Sequence, residues 1–78
     1  MKLIPVESTT ITTVGYDANS ELLRIEFRDR TIYQYFGVPA SVHNALMCAS
    51  SKGKYFNGII RGRFAFSLEV TNHQQSLS

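Results

Sequence analysis

The stretch that decides the fold is residues 22–36, which read LLRIEFRDRTIYQYF. Apolar and polar residues alternate through its first half, so Ile25 and Phe27 point to one side of a strand. Asp29 and Arg30 then fit a two-residue turn, and a second strand rich in aromatic residues follows. The pattern therefore predicts a β-hairpin with one apolar face.

The turn length sets which residues of the hairpin face each other. A two-residue loop places Ile25 opposite Gln34 on the apolar side. The same count places Tyr33 and Tyr35 on the other face, beside Arg24. This register predicts that one face of the hairpin combines two tyrosine rings with arginine.

Further elements flank the hairpin on both sides. Residues 9–16 are rich in β-branched side chains and predict a preceding strand, and residues 40–49 carry apolar positions at helical spacing. A second helix begins near Gly53 and ends at Gly62, before an alternating strand over residues 64–70. We predict an α+β fold in the order β-β-β-α-α-β, an antiparallel sheet of three to four strands with two short helices on one face.

Length and composition limit the organisation of the chain. Its 78 residues leave room for one domain, which we assign to residues 1–70, followed by a polar tail at 71–78. Cys48 is the only cysteine, which excludes an internal disulfide and suits a reducing compartment. No signal peptide or membrane-spanning run is recognisable. We therefore expect a cytoplasmic protein with no membrane partner.

Positive charge is concentrated in one segment. Residues 51–63 carry a charge of +4 without any acidic residue, whereas the rest of the chain carries −2. A basic segment on a nearly neutral body is typical of polyanion binding, and it is also compatible with an ordinary solvated surface.

No group of residues points to catalysis, a cofactor or a metal. His43 and Cys48 do not share a helix face, and His73 lies in the tail. The carboxylates are few and scattered, and no set of three or four ligands has metal-site spacing. We expect Cys48 to be a partly buried helix residue and the protein not to be an enzyme.

The start of the second helix is a candidate phosphate site. Ser50 and Ser51 supply hydroxyls, Gly53 lies in the first turn, and Lys52 and Lys54 add positive charge. The alternative is a serine-capped helix with solvated lysines. The glycines required before the lysine of a nucleotide-hydrolysing phosphate loop are missing.

Four stretches occur in order along the chain: VGYD at 14–17, LRIEF at 23–27, YQY at 33–35 with VP at 38–39, and ASSKGKYFN at 49–57 leading to IR at 60–61. Together they resemble the KTSC domain, a family named for its occurrence at the C-terminus of some lysyl-tRNA synthetases. The family has no established activity, and its synthetase context has suggested RNA binding. The chain departs from the expected pattern at Arg30, where a hairpin glycine would fit.

The leading hypothesis is a small module that binds RNA. Tyrosines stack unpaired bases and basic side chains hold phosphates in such modules. The candidate nucleic-acid-binding residues are Tyr33, Tyr35, Arg24, Lys52, Lys54, Arg61 and Arg63. The alternatives are that the tyrosines are packed structural residues, and that the chain is a protein-interaction module or a small homodimer without a nucleic-acid ligand.

Overall fold

Five antiparallel strands form one sheet in the computed structural model, which describes residues 1–69. The predicted tail at 71–78, and Val70 of the predicted last strand, lie outside the described residues. The strands are β1 (Lys2–Pro5), β2 (Ile11–Asp17), β3 (Leu22–Phe27), β4 (Ile32–Phe36) and β5 (Ala65–Glu69). They lie side by side in chain order, β1 to β5.

The sheet is larger than the sequence predicted, because β1 was not foreseen. This strand pairs with β2 through Lys2 opposite Tyr16 and Ile4 opposite Val14. It has only four residues, all exposed, and it ends in Pro5. Such a strand carries no alternation between buried and exposed positions, so its pairing partner is needed to recognise it.

Two helical segments connect β4 to β5. Helix α1 spans Ala40–Cys48 and begins directly after the extended Pro39. Helix α2 spans Lys52–Tyr55 and runs on without a break into a π-helical segment, Phe56–Ile60. Gly62 then adopts a left-handed conformation with φ of 86°, as its predicted capping role requires.

The β3–β4 hairpin has a different turn from the predicted one. Its loop has three residues, because the Phe27 amide donates to the Thr31 carbonyl at 2.9 Å. The Arg30 amide donates to the Phe27 carbonyl at 2.9 Å, and Arg30 takes a φ of 72°. A three-residue loop whose last residue is left-handed is a common hairpin connection. Arg30 occupies the position where glycine was expected.

The longer loop shifts the register by one residue, and the predicted pairing is therefore wrong. Ile25 lies opposite Tyr33 rather than Gln34, and Arg24 lies opposite Gln34. Because side chains alternate along a strand, a shift of one residue exchanges the two faces. Tyr33 and Tyr35 consequently share a face with Ile25, on the helix side of the sheet, and Arg24 points away from them.

The hydrophobic core lies between the sheet and the helices, as predicted. Buried strand residues pack against Leu46 of α1 and against Phe56 and Ile60 of the π-helical segment. The core residues are Ile11, Val14, Leu23, Ile25, Tyr35, Val38, Leu46, Phe56 and Ile60. Both helical segments therefore cover the same face of the sheet, and the other face carries none within residues 1–69.

Candidate binding groove

An open groove of about 540 Å³ lies on the helix side of the sheet, where β3, β4 and β5 meet the π-helical segment. Five aromatic side chains line it: Phe27, Tyr33, Tyr35, Phe56 and Phe66. Polar and small residues complete the lining: Thr9, Thr10, Arg28, Asp29, Thr31, Asn57, Arg61 and Gly62. We call this feature the aromatic groove. Its volume lies in the range of small-molecule and nucleotide sites.

The aromatic rings hold one another in place. Phe56 contacts Phe27 and Tyr35 edge to face, at centroid distances of 5.2 and 5.5 Å. Tyr33 meets Phe66 in the same way at 5.6 Å. Edge-to-face packing is the preferred arrangement of such rings, so the groove has a rigid wall. Phe66 is 59% exposed, which leaves one ring open to a ligand.

Tyr35 is the most enclosed polar residue of the groove. It is only 3% exposed, and its hydroxyl makes no hydrogen bond within residues 1–69. Burial raises the pKa of the Tyr35 phenol, Tyr33 raises it further, and Arg61 has a smaller opposite effect. Among the described residues, this neutral hydroxyl therefore has no partner as donor or as acceptor in an otherwise apolar wall. Buried polar groups normally have a partner, and a groove ligand would supply one.

Two arginines bring positive charge to the groove. Arg28 is fixed, because its Nε and Nη2 atoms donate to the Ser8 carbonyl at 2.9 and 2.7 Å. Arg61 is exposed, and its Nη1 atom lies 3.4 Å from Oδ1 of Asn57. Neither arginine forms an ion pair in the part of the chain that the structure describes. Both guanidinium groups therefore keep their charge available to an anion.

One carboxylate lies at the same rim. Asp29 accepts hydrogen bonds from the Thr31 amide at 3.0 Å and from the Thr31 hydroxyl at 2.5 Å. Both hydrogen bonds lower the pKa of Asp29, and the one from the hydroxyl has the larger effect. The negative charge sits within the hairpin loop, so an anionic ligand is favoured toward Arg61 rather than toward the loop.

The π-helical segment positions the residues that line the helical side of the groove. Its wider turn is closed by the Arg61 amide, which donates to the Phe56 carbonyl at 2.9 Å. A single π turn inside a helix is rare and frequently accompanies a functional site. Here it brings Phe56, Asn57 and Arg61 together in the wall of the groove.

The structure brings together only some of the predicted nucleic-acid-binding residues. Tyr33, Tyr35 and Arg61 line the aromatic groove. Arg24 lies on the opposite face of the sheet, where its Nε atom is 2.9 Å from Oε1 of Glu69. The predicted surface of exposed tyrosines beside Arg24 is therefore absent, since the hairpin register is shifted. Lys52, Lys54 and Arg63 do not line the groove.

The predicted phosphate site has the geometry of a capped helix. The Ser51 hydroxyl accepts from the Lys54 amide at 3.4 Å, and Nζ of Lys52 donates to the Ala49 carbonyl at 3.1 Å. Gly53 lies against Thr10, since a Cβ at this position would be 3.1 Å from Oγ1 of Thr10. The exposed Ser50 makes no hydrogen bond with its side chain within residues 1–69.

Several lining residues were not predicted. The alternation predicts Phe27 on the apolar side of the hairpin, and none of Phe27, Phe56 and Phe66 is among the candidate binding residues. Phe56 and Asn57 do belong to the stretch that carries the family resemblance, which was the available signal. Arg28 is not among the candidate binding residues, because its contact with the Ser8 carbonyl depends on the packing of distant segments.

The histidine and cysteine positions are separate from the groove. His43 stacks on Tyr16 with ring centroids 4.5 Å apart and an interplanar angle of 8°. Cys48 is exposed, contrary to the partial burial expected for it. Among the described residues, no three histidine, cysteine or acidic side chains are grouped as metal ligands would be. No helix within residues 1–69 is long and apolar enough to cross a membrane.

A five-stranded antiparallel sheet with helices on one face and an aromatic groove beside them defines a small α+β domain. Its sequence matches the KTSC domain model over residues 7–64. The crystal structure of a KTSC domain protein from Yersinia pestis is similar, with a TM-score of 0.86 and 40% identity, over 88% of this chain and 97% of that one. The chain therefore belongs to the KTSC domain family.

Similar sequences occur alone and within larger proteins. A protein of Tsukamurella paurometabola is 40% identical over 60 residues, which are 77% of this chain and 90% of that protein. The lysine–tRNA ligase of Nostoc punctiforme is 41% identical over 64 residues. This match covers 82% of the present chain and only 11% of the ligase.

Proposed function

We propose that this chain is an RNA-binding module without catalytic activity of its own, and that the aromatic groove takes an unpaired nucleotide. The observation that carries the proposal is the meeting of an aromatic wall with two arginines free of ion pairs among residues 1–69. Proteins that bind unpaired RNA stack bases on aromatic or guanidinium planes and hold phosphates with basic side chains.

The proposed binding mode assigns a separate role to each part of the groove. A base packs against the ring of Phe66, because this ring stays exposed despite its contact with Tyr33, whereas Tyr35 and Phe56 are buried. The Tyr35 hydroxyl and the Asn57 amide can hydrogen-bond to the edge of that base. Arg61 holds the adjacent phosphate, as an exposed guanidinium group outside any ion pair of the described residues is able to do.

The remaining basic residues take a peripheral role in this proposal. Lys52 and Lys54 lie on α2 and Arg63 follows the π-helical segment, so they can extend the positive field along the RNA backbone. Arg24 is excluded from the proposed site, because it faces the other side of the sheet and is paired with Glu69.

The relatives are compatible with an RNA ligand. A segment similar to most of this chain forms a small part of a lysine–tRNA ligase. An RNA-binding module attached to such an enzyme would have an obvious ligand in the tRNA, and the same module alone would bind RNA independently. The cytoplasmic location predicted from the sequence fits this role and stays a prediction.

The test is titration of a fluorescently labelled, unpaired RNA oligonucleotide of mixed sequence at low and moderate salt. We expect affinity to fall steeply with salt, because phosphate contacts release counterions. Arg61→Gln should weaken binding by about tenfold and flatten the salt dependence, since one charged contact is lost. Tyr35→Phe should weaken binding without changing the salt dependence.

Arg30→Gln is the matched control for Arg61→Gln. It also removes one exposed guanidinium group, but Arg30 does not line the groove, so binding should be nearly unchanged. Absence of binding by the parent chain at low salt would contradict the proposal. Equal losses of RNA affinity in Arg61→Gln and Arg30→Gln would mean that only the net charge matters, and would exclude the groove as the binding site.

A further inference from the structure

The two edges of the sheet differ in how they are protected. Exposed strand edges invite pairing with another chain, and proteins commonly protect them with lysine, proline or a bulge. Edge strand β1 carries Lys2 and ends in Pro5. Edge strand β5 reads AFSLE over Ala65–Glu69 and has neither of these residues nor a bulge against β4. Its outer side has no partner strand within residues 1–69.

Strand β5 also exposes two large apolar side chains on one face. Phe66 lies opposite Tyr35 and Leu68 opposite Tyr33, so both project to the helix side of the sheet. They are 59% and 52% exposed, respectively, because the helices do not extend over this edge. A second strand placed beside β5 would cover them.

We infer that β5 pairs with β5 of a second copy of this chain, in antiparallel orientation about Ser67. In this register Phe66 of each copy faces Leu68 of the other, Ser67 faces Ser67, and Ala65 faces Glu69. Each exposed apolar side chain meets an apolar side chain. The strand is therefore complementary to itself, as a two-fold symmetric interface requires.

Charge does not oppose this pairing. Glu69 is the only ionisable residue of β5, and in the inferred register it faces an alanine rather than the second Glu69. Its carboxylate is already held by Arg24 at 2.9 Å and by Gln34 at 3.1 Å. Like charges directly opposite each other would destabilise a strand pair, and this register avoids them.

The pairing would join the two sheets into one of ten strands. It would also place the two aromatic grooves on the same side of that sheet, since Phe66 belongs both to the groove and to β5. The inference rests on the edge of β5 and not on the identity of the groove ligand. It competes with the proposed stacking of a base on Phe66, because the second copy would cover that ring.

The first test is sedimentation equilibrium of the full chain over a wide concentration range. We expect the mass to rise with concentration from that of the 8.8 kDa monomer toward twice that value. Leu68→Lys should hold the mass at the monomer value, because a charge would face Phe66 of the second copy. The matched control is Leu3→Lys on β1, also exposed, which should leave dimerisation unchanged.

The second test examines the register directly. In a Cys48→Ser background, Ser67→Cys should form an intermolecular disulfide on mild oxidation, because directly opposed residues meet disulfide geometry. Ala65→Cys in the same background should not, since its two copies would lie about 13 Å apart along the strands. Cross-linking should occur without RNA, and an RNA that stacks on Phe66 should reduce it.

Two outcomes would overturn the inference. A monomeric mass at every concentration would contradict it, and strong amide protection of β5 in that monomer would mean that another part of the same chain covers this edge. Dimerisation that survives Leu68→Lys, with equal cross-linking of the two cysteine variants, would place the interface elsewhere. Circular dichroism of each variant separates loss of pairing from loss of folding.

Discussion

Arg24 of β3 and Glu69 of β5 are joined across the intervening strand β4. Nε of Arg24 lies 2.9 Å from Oε1 of Glu69, and Nη2 lies 3.1 Å from Oε2, so the contact is bidentate. Gln34 of β4 donates to the same carboxylate at 3.1 Å. Three neighbouring strands are thus connected by side chains on the face that carries no helix among the described residues.

We expect Glu69→Gln to lower the free energy of unfolding by about 1 kcal/mol, because bidentate partly exposed pairs lie at the upper end of surface ion pairs. The hydrogen bond from Arg24 lowers the pKa of Glu69. The contribution of this ion pair to the free energy of unfolding is therefore complete above the ordinary glutamate pKa. It is lost as pH falls through the lower pKa of the folded state. Urea denaturation at a series of acidic pH values checks this. The free energy of unfolding should fall less steeply with pH in the Glu69→Gln variant than in the parent chain. Glu7→Gln, at an exposed position, is the control.

Stability should also respond to pH through His43. Burial lowers the pKa of this imidazole, which stacks on Tyr16. Well above pH 6.5 the imidazole is neutral in both the folded and the unfolded states, so it does not change the free energy of unfolding there. As pH falls below that value the unfolded state takes up the proton first, and the free energy of unfolding decreases until the folded-state pKa is passed. His43→Phe retains an aromatic ring and should remove this component. An unchanged pH profile in the variant would contradict the prediction.

Arg30→Gly should stabilise the protein by about 0.5 kcal/mol. Arg30 has a φ of 72°, which costs an ordinary residue about 1–2 kcal/mol, and glycine removes that strain at a smaller cost in unfolded-state entropy. Chemical denaturation should show a higher midpoint with an unchanged slope. Arg28→Gly in the same loop should destabilise instead, since it loses both hydrogen bonds to the Ser8 carbonyl.

Two tyrosine-to-phenylalanine changes should differ in their effect on stability. Tyr16→Phe removes a hydroxyl that donates to the Val38 carbonyl at 2.6 Å, and we expect a loss of about 1 kcal/mol. Tyr35→Phe removes a buried hydroxyl without a partner in residues 1–69, so stability should be unchanged or slightly higher. Tyr35→Ala should cost about 3 kcal/mol, because it empties a core position. Thermal unfolding of the three variants checks the order.

Much of the architecture was predictable from local pattern. The alternation around Ile25 and Phe27 placed β3, and the helical spacing around Leu46 and Phe56 placed both helices on the correct side of the sheet. Gly62 marked the end of the second helical segment. These features depend on neighbouring residues, so the sequence carries them directly.

The candidate site was less predictable because it depended on one loop. Arg30 tolerates a left-handed conformation that usually favours glycine, and this allowed a three-residue turn where two residues were expected. The single added residue moved Tyr33 and Tyr35 to the helix side and left Arg24 on the other. The contacts of Arg28 and the exposure of Phe66 depend on segments distant in sequence, which no local pattern reports.

The order of the sheet has a consequence for biosynthesis. Strands β1 to β4 join their neighbours through short connections, whereas β5 reaches β4 only after both helical segments, where Phe36 pairs with Ala65. Contacts across long intervening segments form late, since closing the larger loop costs more entropy. A ribosome synthesising this chain would therefore expose an unfinished pocket until Phe66 emerges, so we expect the groove to bind a ligand only after β5 has joined the sheet.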